Sequence, residues 1–272
     1  VNSTAEPSAT TLTPASRELN RWIELLTMIA WRTIKVRYKQ SFMGALWALF
    51  MPLVVVAAGL MVRVFAARLG AAPIAPGDVA RLAVKAIAWG FFVGTLRFGT
   101  NSLGANVALV TKIAFPKIIF PLSSVAAGLV DFAVAAILPI GLLIIAQTPV
   151  TVELLWIPIL LLLLVALTAG LCILLSAANL FYRDVKYLVE VVLTFAIFFT
   201  PVLFDASMLG PWASRIMLNP VAPILEGLAD VAVAGRAPDL GWLGYSAAVS
   251  VVILAVSILV FRRAEPLFAE RA

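Results

Sequence analysis

Residues 32–52 read RTIKVRYKQSFMGALWALFMP, a basic stretch that turns abruptly apolar. Arg32, Lys35, Arg37 and Lys39 stop just short of a hydrophobic run that opens at Phe42. Lys and Arg resist translocation, so this boundary predicts a membrane segment and its direction, with the basic flank inside. In a soluble protein the same boundary would mark a buried helix with a basic flank. The rest of the chain argues otherwise. It is 63% hydrophobic and 12% charged, with a mean hydropathy of +1.07, whereas soluble domains carry roughly 45–50% apolar and about 25% charged residues.

The 272 residues suffice for one membrane domain with short loops and leave no room for a second soluble domain. The net charge of +6 is concentrated beside the predicted spans. Membrane orientation and anionic lipid explain it better than nucleic acid. There is no His, and the one Cys, Cys172, lies in an apolar run. An intrachain disulfide and a Cys/His metal site are therefore excluded. Residues 1–16 have neither a basic n-region nor an apolar h-region, and their composition reads as a disordered cytoplasmic tail rather than a signal peptide.

From Arg17 to Gln40 the pattern becomes amphipathic. Leu19, Trp22, Ile23, Leu26, Ala30 and Ile34 share one helical face, and Arg17, Arg21, Glu24, Arg32, Lys35 and Lys39 the other. Such a helix, assigned here to 17–41, lies in the bilayer interface or packs on a soluble partner. A spanning helix needs ~20 apolar residues. Six stretches qualify, at about 43–65, 83–105, 120–147, 153–178, 187–204 and 242–261, with Pro139 and Pro158 as expected kink sites. The fold expected is an all-α membrane protein, with the six-span domain over 42–265 and a cytoplasmic C-terminus at 266–272.

With both ends inside, Arg17, Arg21, Arg32, Lys35, Arg37, Lys39, Lys112, Lys117, Arg183, Lys186, Arg262, Arg263 and Arg271 are cytoplasmic, thirteen of the 20 cations. That bias supports an even number of spans. The loop 66–82 is less depleted of cations than the rule prefers. Residues 205–241 are interrupted by Pro211, Pro220, Pro223, Gly227, Gly235 and Pro238. Short half-helices that dip in and return on the outer side fit this stretch, provided protein buries their ends. No inverted repeat of the secondary-transporter kind is present.

Enzyme motifs are absent. The dipeptide Gly-Lys, and with it a phosphate loop, does not occur, and Asp205, Glu226, Asp230 and Asp239 are scattered over the outer loop. This favours a conduit over a catalyst. Away from the span ends, three charged residues fall within predicted spans: Arg97, Asp131 and Glu190. Arg97 lies ~12 Å and Asp131 ~16 Å from the inner end of their spans at 1.5 Å per residue. An Arg97–Asp131 ion pair between adjacent helices is expected, as a structural clamp more than a passage residue. Glu190 is one turn beyond Lys186 and is expected to pair with it. Tyr187, Val191, Phe195, Phe198 and Val202 share a face of the fifth span with Phe199 beside them, and Trp47 and Phe50 sit one turn apart on the first. Aromatic faces can stack on sugar rings, although aromatics in spans more often pack or face lipid. Between the second and third spans, NVALVTKIAFPKIIFPLSS predicts a short helix across the cytoplasmic face or a plain connecting turn.

Five blocks together resemble one family. They are IKVRYKQSFMGALWALFMPL (34–53), NSLGANVALVTKIAFPKIIFPLSSVAAGLVDF (101–132), NLFYRDVKYL (179–188), FFTPVLF (198–204) and LNPVAPILEGLAD (218–230). In order and spacing they are similar to the permease subunits of ABC-type polysaccharide and polyol-phosphate exporters, which handle O-antigen, galactan, teichoic acid and capsule. The resemblance implies a half-transporter of the bacterial inner membrane. Two copies form a homodimer with two separate subunits that bind ATP and Mg, and this chain binds no cofactor itself. It places a coupling helix at about 106–120, with Thr111, Lys112, Phe115, Pro116, Lys117, Arg183 and Asp184 facing the ATPase. It places an interface helix at 17–41, outer gate helices at about 205–239, and a channel lined by Trp47, Phe50, Phe195, Phe198 and Phe199. Arg32, Lys35, Arg37 and Lys39 would meet the phosphates of a lipid-linked glycan. The competing readings are an ABC permease for drugs or small lipids, an ion-coupled carrier using Asp131, and a membrane scaffold.

Overall fold

Where water cannot reach the backbone, each span must bond its own N–H and C=O groups, and a helix does so locally. The computed structural model describes residues 14–39, 46–68, 76–112 and 115–268, and all regular structure among them is helical. The central element is α3 (Pro76–Thr100). It begins with Pro at its first position and Asp78 in its first turn, both suited to a helix N-terminus. α3 packs against α2 (Trp47–Arg68), α5 (Ile119–Ala135), α7 (Trp156–Phe181), α8 (Val185–Ala196) and α10 (Val221–Ala229). Ala83, Ala86, Trp89, Phe92 and Leu96 of α3 are buried in the main core.

α1 (Pro14–Tyr38) carries the amphipathic stretch and lies against α5. It includes three residues of the expected tail; residues 1–13 lie outside the described ones. α4 (Val107–Lys112) follows a 3-10 turn at Gly104–Asn106. The coupling stretch expected over 106–120 is therefore helical only in its first part. Pro116 and Lys117 form a turn, and Ile119 and Phe120 already belong to the long helix that follows.

α5 breaks at Ala136 and continues as α6 (Ile137–Ile145). Pro139 explains the break, because it offers no N–H and crowds the carbonyl four residues back. Pro158 produces no kink. It is the third residue of α7, where a helix N–H has no intrahelical partner to lose. α7 and α11 (Leu240–Ala264) form an extensive pair. Gly170 makes it close, since a Cβ there would lie 2.9 Å from the Leu254 Cα. Ser246, Ser250 and Ser257 of α11 are fully buried, in keeping with small residues at a membrane helix interface.

Four helical stretches are long and apolar enough to cross a membrane: Gly77–Thr100, Ile119–Ile145, Val152–Phe181 and Leu240–Leu267. The apolar part of α2, Leu49–Phe65, is shorter. The fifth expected span is also shorter than the sequence suggested. α8 has 12 residues, passes into a 3-10 turn at Ile197–Phe199, and becomes extended at Thr200. At ~1.5 Å per residue α8 reaches ~18 Å, against a hydrocarbon core of about 30 Å. Residues 206–234 form a 3-10 turn (Ala206–Trp212), α9 (Ala213–Ile216), α10 and a π-helical turn (Asp230–Ala234). All nine residues of α10 are buried.

The close α7–α11 approach makes a prediction. Gly170→Ala should lower the detergent-solubilised melting temperature, because overpacking costs about 1–3 kcal/mol. Gly141→Ala, where an added Cβ meets nothing within 4 Å, should not. Equal melting of both variants with the parent would contradict the close-packed pair.

Candidate functional site

Three cations and four carboxylates, dispersed in sequence, meet at the end of the bundle where α2 finishes and α3 begins. Asp78, Arg81 and Lys85 recur at helical spacing along one side of α3. Lys85 is 1% exposed. Its Nζ donates to Asp205 Oδ1 (2.5 Å), Glu226 Oε1 (2.9 Å) and the Phe204 carbonyl (3.2 Å), which uses all three ammonium hydrogens. Arg81 Nη2 pairs with Asp230 Oδ1 at 2.8 Å and reaches Glu226 Oε2 at 3.4 Å. Arg63 of α2 bridges Asp78 Oδ1 and Asp205 Oδ2, each at 2.9 Å. Glu226 Oε1 also accepts the Ala206 N–H at 2.8 Å. The segment 204–230 is thereby fastened to α2 and α3. Burial pushes the Asp205 carboxyl up, but the charges of Lys85, Arg81 and Arg63 outweigh it and bring it down to about 2.

A second feature is an aromatic surface. Phe195, Phe198 and Phe199 are 58%, 63% and 68% exposed. Trp47 and Phe50 are half-exposed and stack edge-on with ring centroids 5.3 Å apart. Much of this aromatic surface is uncovered by the described residues, so α2 and α8 present faces suited to lipid or another protein.

The opposite end is tied by a small second core of Leu103, Val110, Phe120, Leu180, Phe261 and Phe268. Phe268 stacks on Phe181 (5.9 Å) and Phe261 (5.1 Å), and Phe115 on Phe120 (5.4 Å). The Lys117 N–H donates to Glu265 Oε1 at 2.8 Å. Thr111 is exposed, Pro116 half-buried, and Arg183 and Asp184 exposed in the α7–α8 turn. A cleft of about 160 Å³ lies between Gly104 and Val107 on one side and Arg183 and Lys186 on the other. The structure thus brings this group of sequence-expected residues to one end. The side chains of Lys112 and Arg37 lie outside the described residues. Of the other interface cations, Arg32 Nη1 donates to Asn106 Oδ1 (3.0 Å), and Lys35 sits 5.3 Å over the Trp31 ring. Lys39 is exposed.

Arg97 has a partner that the sequence did not suggest: its Nη2 lies 2.8 Å from Glu190 Oε1 on α8, which packs on α3. Asp131 and Arg97 line the same cavity of about 520 Å³. Glu190 in turn does not wait for Lys186, whose Nζ lies 4.9 Å over the Tyr187 ring.

The ABC-2 type transporter family matches residues 24–232. The chain belongs to that family. It is 29% identical over 260 residues to an O-antigen export system permease protein, RfbA, of Myxococcus xanthus, covering 93% of this chain and 97% of that protein. It is 26% identical over 250 residues to an RfbA of Klebsiella pneumoniae, covering 91% and 94%. A further Klebsiella pneumoniae RfbA is 29% identical over 204 residues, covering 74% and 77%. Membership and the apolar helices make this a multi-pass inner-membrane subunit of a transporter rather than its ATPase.

In this ABC-2 protein no group of three or more metal-ligating side chains occurs among the described residues. Its ion cluster escaped sequence reasoning because the acids looked scattered over one loop. Two signals were available: Asp78, Arg81 and Lys85 at i, i+3, i+7, and Glu226 with Asp230 at i, i+4. Lys85→Met should strip Asp205 and Glu226 of their shared cation and destabilise the protein by about 3–5 kcal/mol, read as a large fall in melting temperature. Asp205 is a depressed carboxyl, so its contribution is full above the unfolded value of about 4 and is lost as pH falls toward about 2. The stability gap between parent and Asp205→Asn should therefore hold steady from about pH 8 to 5 and close below about pH 4. A gap that closed near neutrality would contradict the pairing.

Proposed function

We propose that the chain is the membrane subunit of an ATP-driven exporter that moves a lipid-linked polysaccharide across the bacterial cytoplasmic membrane. The end-to-end likeness to the Myxococcus xanthus O-antigen export permease carries the reading. The missing phosphate loop supports it, since ATP and Mg then belong to a partner ATPase present in two copies. Two copies of this chain meet along α2 and α8, and Trp47, Phe50, Phe195, Phe198 and Phe199 line the path between them. The exposure of these rings supports that arrangement, because a surface this apolar is otherwise left bare.

Both termini lie in the cytoplasm, following the cation bias. ATP binding closes the ATPase pair and pushes on Thr111, Lys112, Phe115, Pro116, Lys117, Arg183 and Asp184. The Lys117–Glu265 bond and the Phe268 stack supply a route from that contact into α11 and α7. Sites this far apart couple through an element with two arrangements, for which the α3-centred bundle is the candidate. Residues 205–239 act as the outer gate, anchored through Lys85. Arg32, Lys35, Arg37 and Lys39 receive the phosphates of the lipid carrier by charge-assisted hydrogen bonds.

Purification from the native host in mild detergent tests the assembly. A stoichiometric ATPase should accompany the chain, with hydrolysis stimulated in the complex; a chain that purifies alone contradicts the reading. Replacing Phe198 and Phe199 together by Ala should leave the ATPase bound and lower glycan export. Unchanged export would remove these rings from the path.

A further inference from the structure

α8 does not close onto the helices behind it. A groove of about 520 Å³, separate from the cavity that holds Arg97 and Asp131, runs between α8 and a wall built from α3, α7, α11 and the start of α10. Protein interiors pack like organic crystals and rarely leave voids larger than a water molecule. The lining reaches from Val185 to Ala196 on α8, from Leu167 to Leu175 on α7 and from Trp89 to Leu96 on α3. At ~1.5 Å per residue the α8 side is ~17 Å long, so the space is a slot and not a round pocket.

Polar bonds fix where α8 sits above that wall. Near its start the Lys186 N–H donates to Asn179 Oδ1 at 3.0 Å. Midway, Glu190 pairs with Arg97 at 2.8 Å. Just past its end, Thr200 Oγ1 accepts from Asn219 Nδ2 at 2.9 Å. Asn219 is the one polar side chain in the lining among the described residues. Its amide is engaged at both atoms, since Oδ1 accepts the Val221 N–H at 3.2 Å. An apolar space of this kind stays dry, and left empty it would cost stability in proportion to its volume.

The slot opens sideways. Leu188 and Val192 line it and are exposed. Across the mouth Ile253 of α11 lines it, with Val252 and Val256 of the same helix exposed nearby. α11 is long and apolar enough to cross a membrane, so this mouth gives onto hydrocarbon and not onto water.

We infer that the slot takes one acyl chain of a bilayer phospholipid, which packs behind α8 as a resident part of the structure. The hydrocarbon core is about 30 Å thick, so one leaflet supplies chains of roughly 15 Å, close to the length of the slot. A second copy of this protein could cover the mouth but would leave the depth at Trp89 unfilled. The other face of α8 carries Phe195 and Phe198, so the acyl chain braces the segment that bears those rings. The inference requires a membrane-embedded chain and does not rest on glycan export.

Trp89 lines the slot and is 5% exposed, so lipid outside the protein does not touch it. Bromine on an acyl chain quenches Trp fluorescence at near contact, which makes Trp89 the reporter. The chain has seven Trp, so the Trp89 share is read as the difference in brightness between the parent and Trp89→Phe. The full chain, with its ATPase if one co-purifies, is placed in nanodiscs of ordinary phosphatidylcholine or of phosphatidylcholine brominated on its acyl chains. One brominated preparation carries bromine at mid-chain and another near the methyl end. The Trp89 share should be present in the ordinary discs and largely lost in at least one brominated preparation. Ala196→Phe and Val189→Phe push a ring into the slot from α8. Each should match the parent in ordinary discs and stay brighter than it in brominated ones. Either filled variant suffices if the other folds poorly, and their comparison with the parent stands if Trp89→Phe does not fold. A Trp89 share that survives in every brominated disc, as a slot sealed by a second copy would give, would overturn the inference. Quenching that neither filled variant relieves would also overturn it, because the bromine would then lie outside the slot. Neither readout involves transport. Failure of the export reading would leave the slot occupied, and an unquenched Trp89 would leave the export reading intact.

Discussion

The Lys85 ammonium is the constraint around which one end of the molecule is organised. It is 1% exposed, and an unpaired charge so buried would cost several kcal/mol. The chain answers with three acceptors, Asp205, Glu226 and the Phe204 carbonyl, all from the proline-broken stretch after α8. Once those bonds are required, the path of residues 204–230 is largely determined. α10 must lie buried against α3 to bring Glu226 into reach, and Arg81 and Arg63 neutralise what Lys85 alone cannot. A buried ion network contributes less to net stability than to fixing one arrangement over others. Here the arrangement fixed is that of a segment whose backbone could not otherwise lie in a low-dielectric setting.

The two long sides of the bundle contrast with that end. α3 is mostly buried, whereas α2 and α8 expose Phe50, Met51, Phe65, Val192, Phe195 and Phe198. The end of α8 is already covered by the chain itself, since Thr200 is buried and accepts from Asn219 Nδ2 at 2.9 Å. A partner copy along the exposed faces would cover them, which is why the proposed dimer and the proposed path coincide. At the other end, the Phe181–Phe261–Phe268 cluster binds the α7–α8 turn to the C-terminal helix. In the proposed mechanism a push delivered there would reach α7 and α11 together, because these helices approach closely around Gly170.

Much of this architecture was legible in the sequence, for identifiable reasons. The amphipathic spacing of Leu26, Ala30 and Ile34 announced α1, and unbroken apolar runs announced the spans through Gly77–Thr100, Ile119–Ile145, Val152–Phe181 and Leu240–Leu267. Such signals are local. Length failed for α8, because apolar residues continue past Phe199 while the backbone does not stay helical. The Arg97–Glu190 pair went unread, because depth in a span says how high a charge sits but not which neighbours face it. Proline was misleading in one of two cases, since its effect depends on its place within the helix and not on its presence. The spacing of Asp78, Arg81 and Lys85 marked one side of the network, but its pairing was hidden for the same reason as the Arg97–Glu190 pair: partners separated by 120 or 141 residues carry no local signal of each other.

The decisive measurement is surface polysaccharide in a strain lacking this gene, complemented with the parent chain alongside either an active or a hydrolysis-dead ATPase partner. The proposed function predicts that glycan leaves the surface and accumulates inside on deletion, and returns only when the partner can hydrolyse ATP. Surface glycan that persists without the chain, or that returns with the inactive partner, would contradict it.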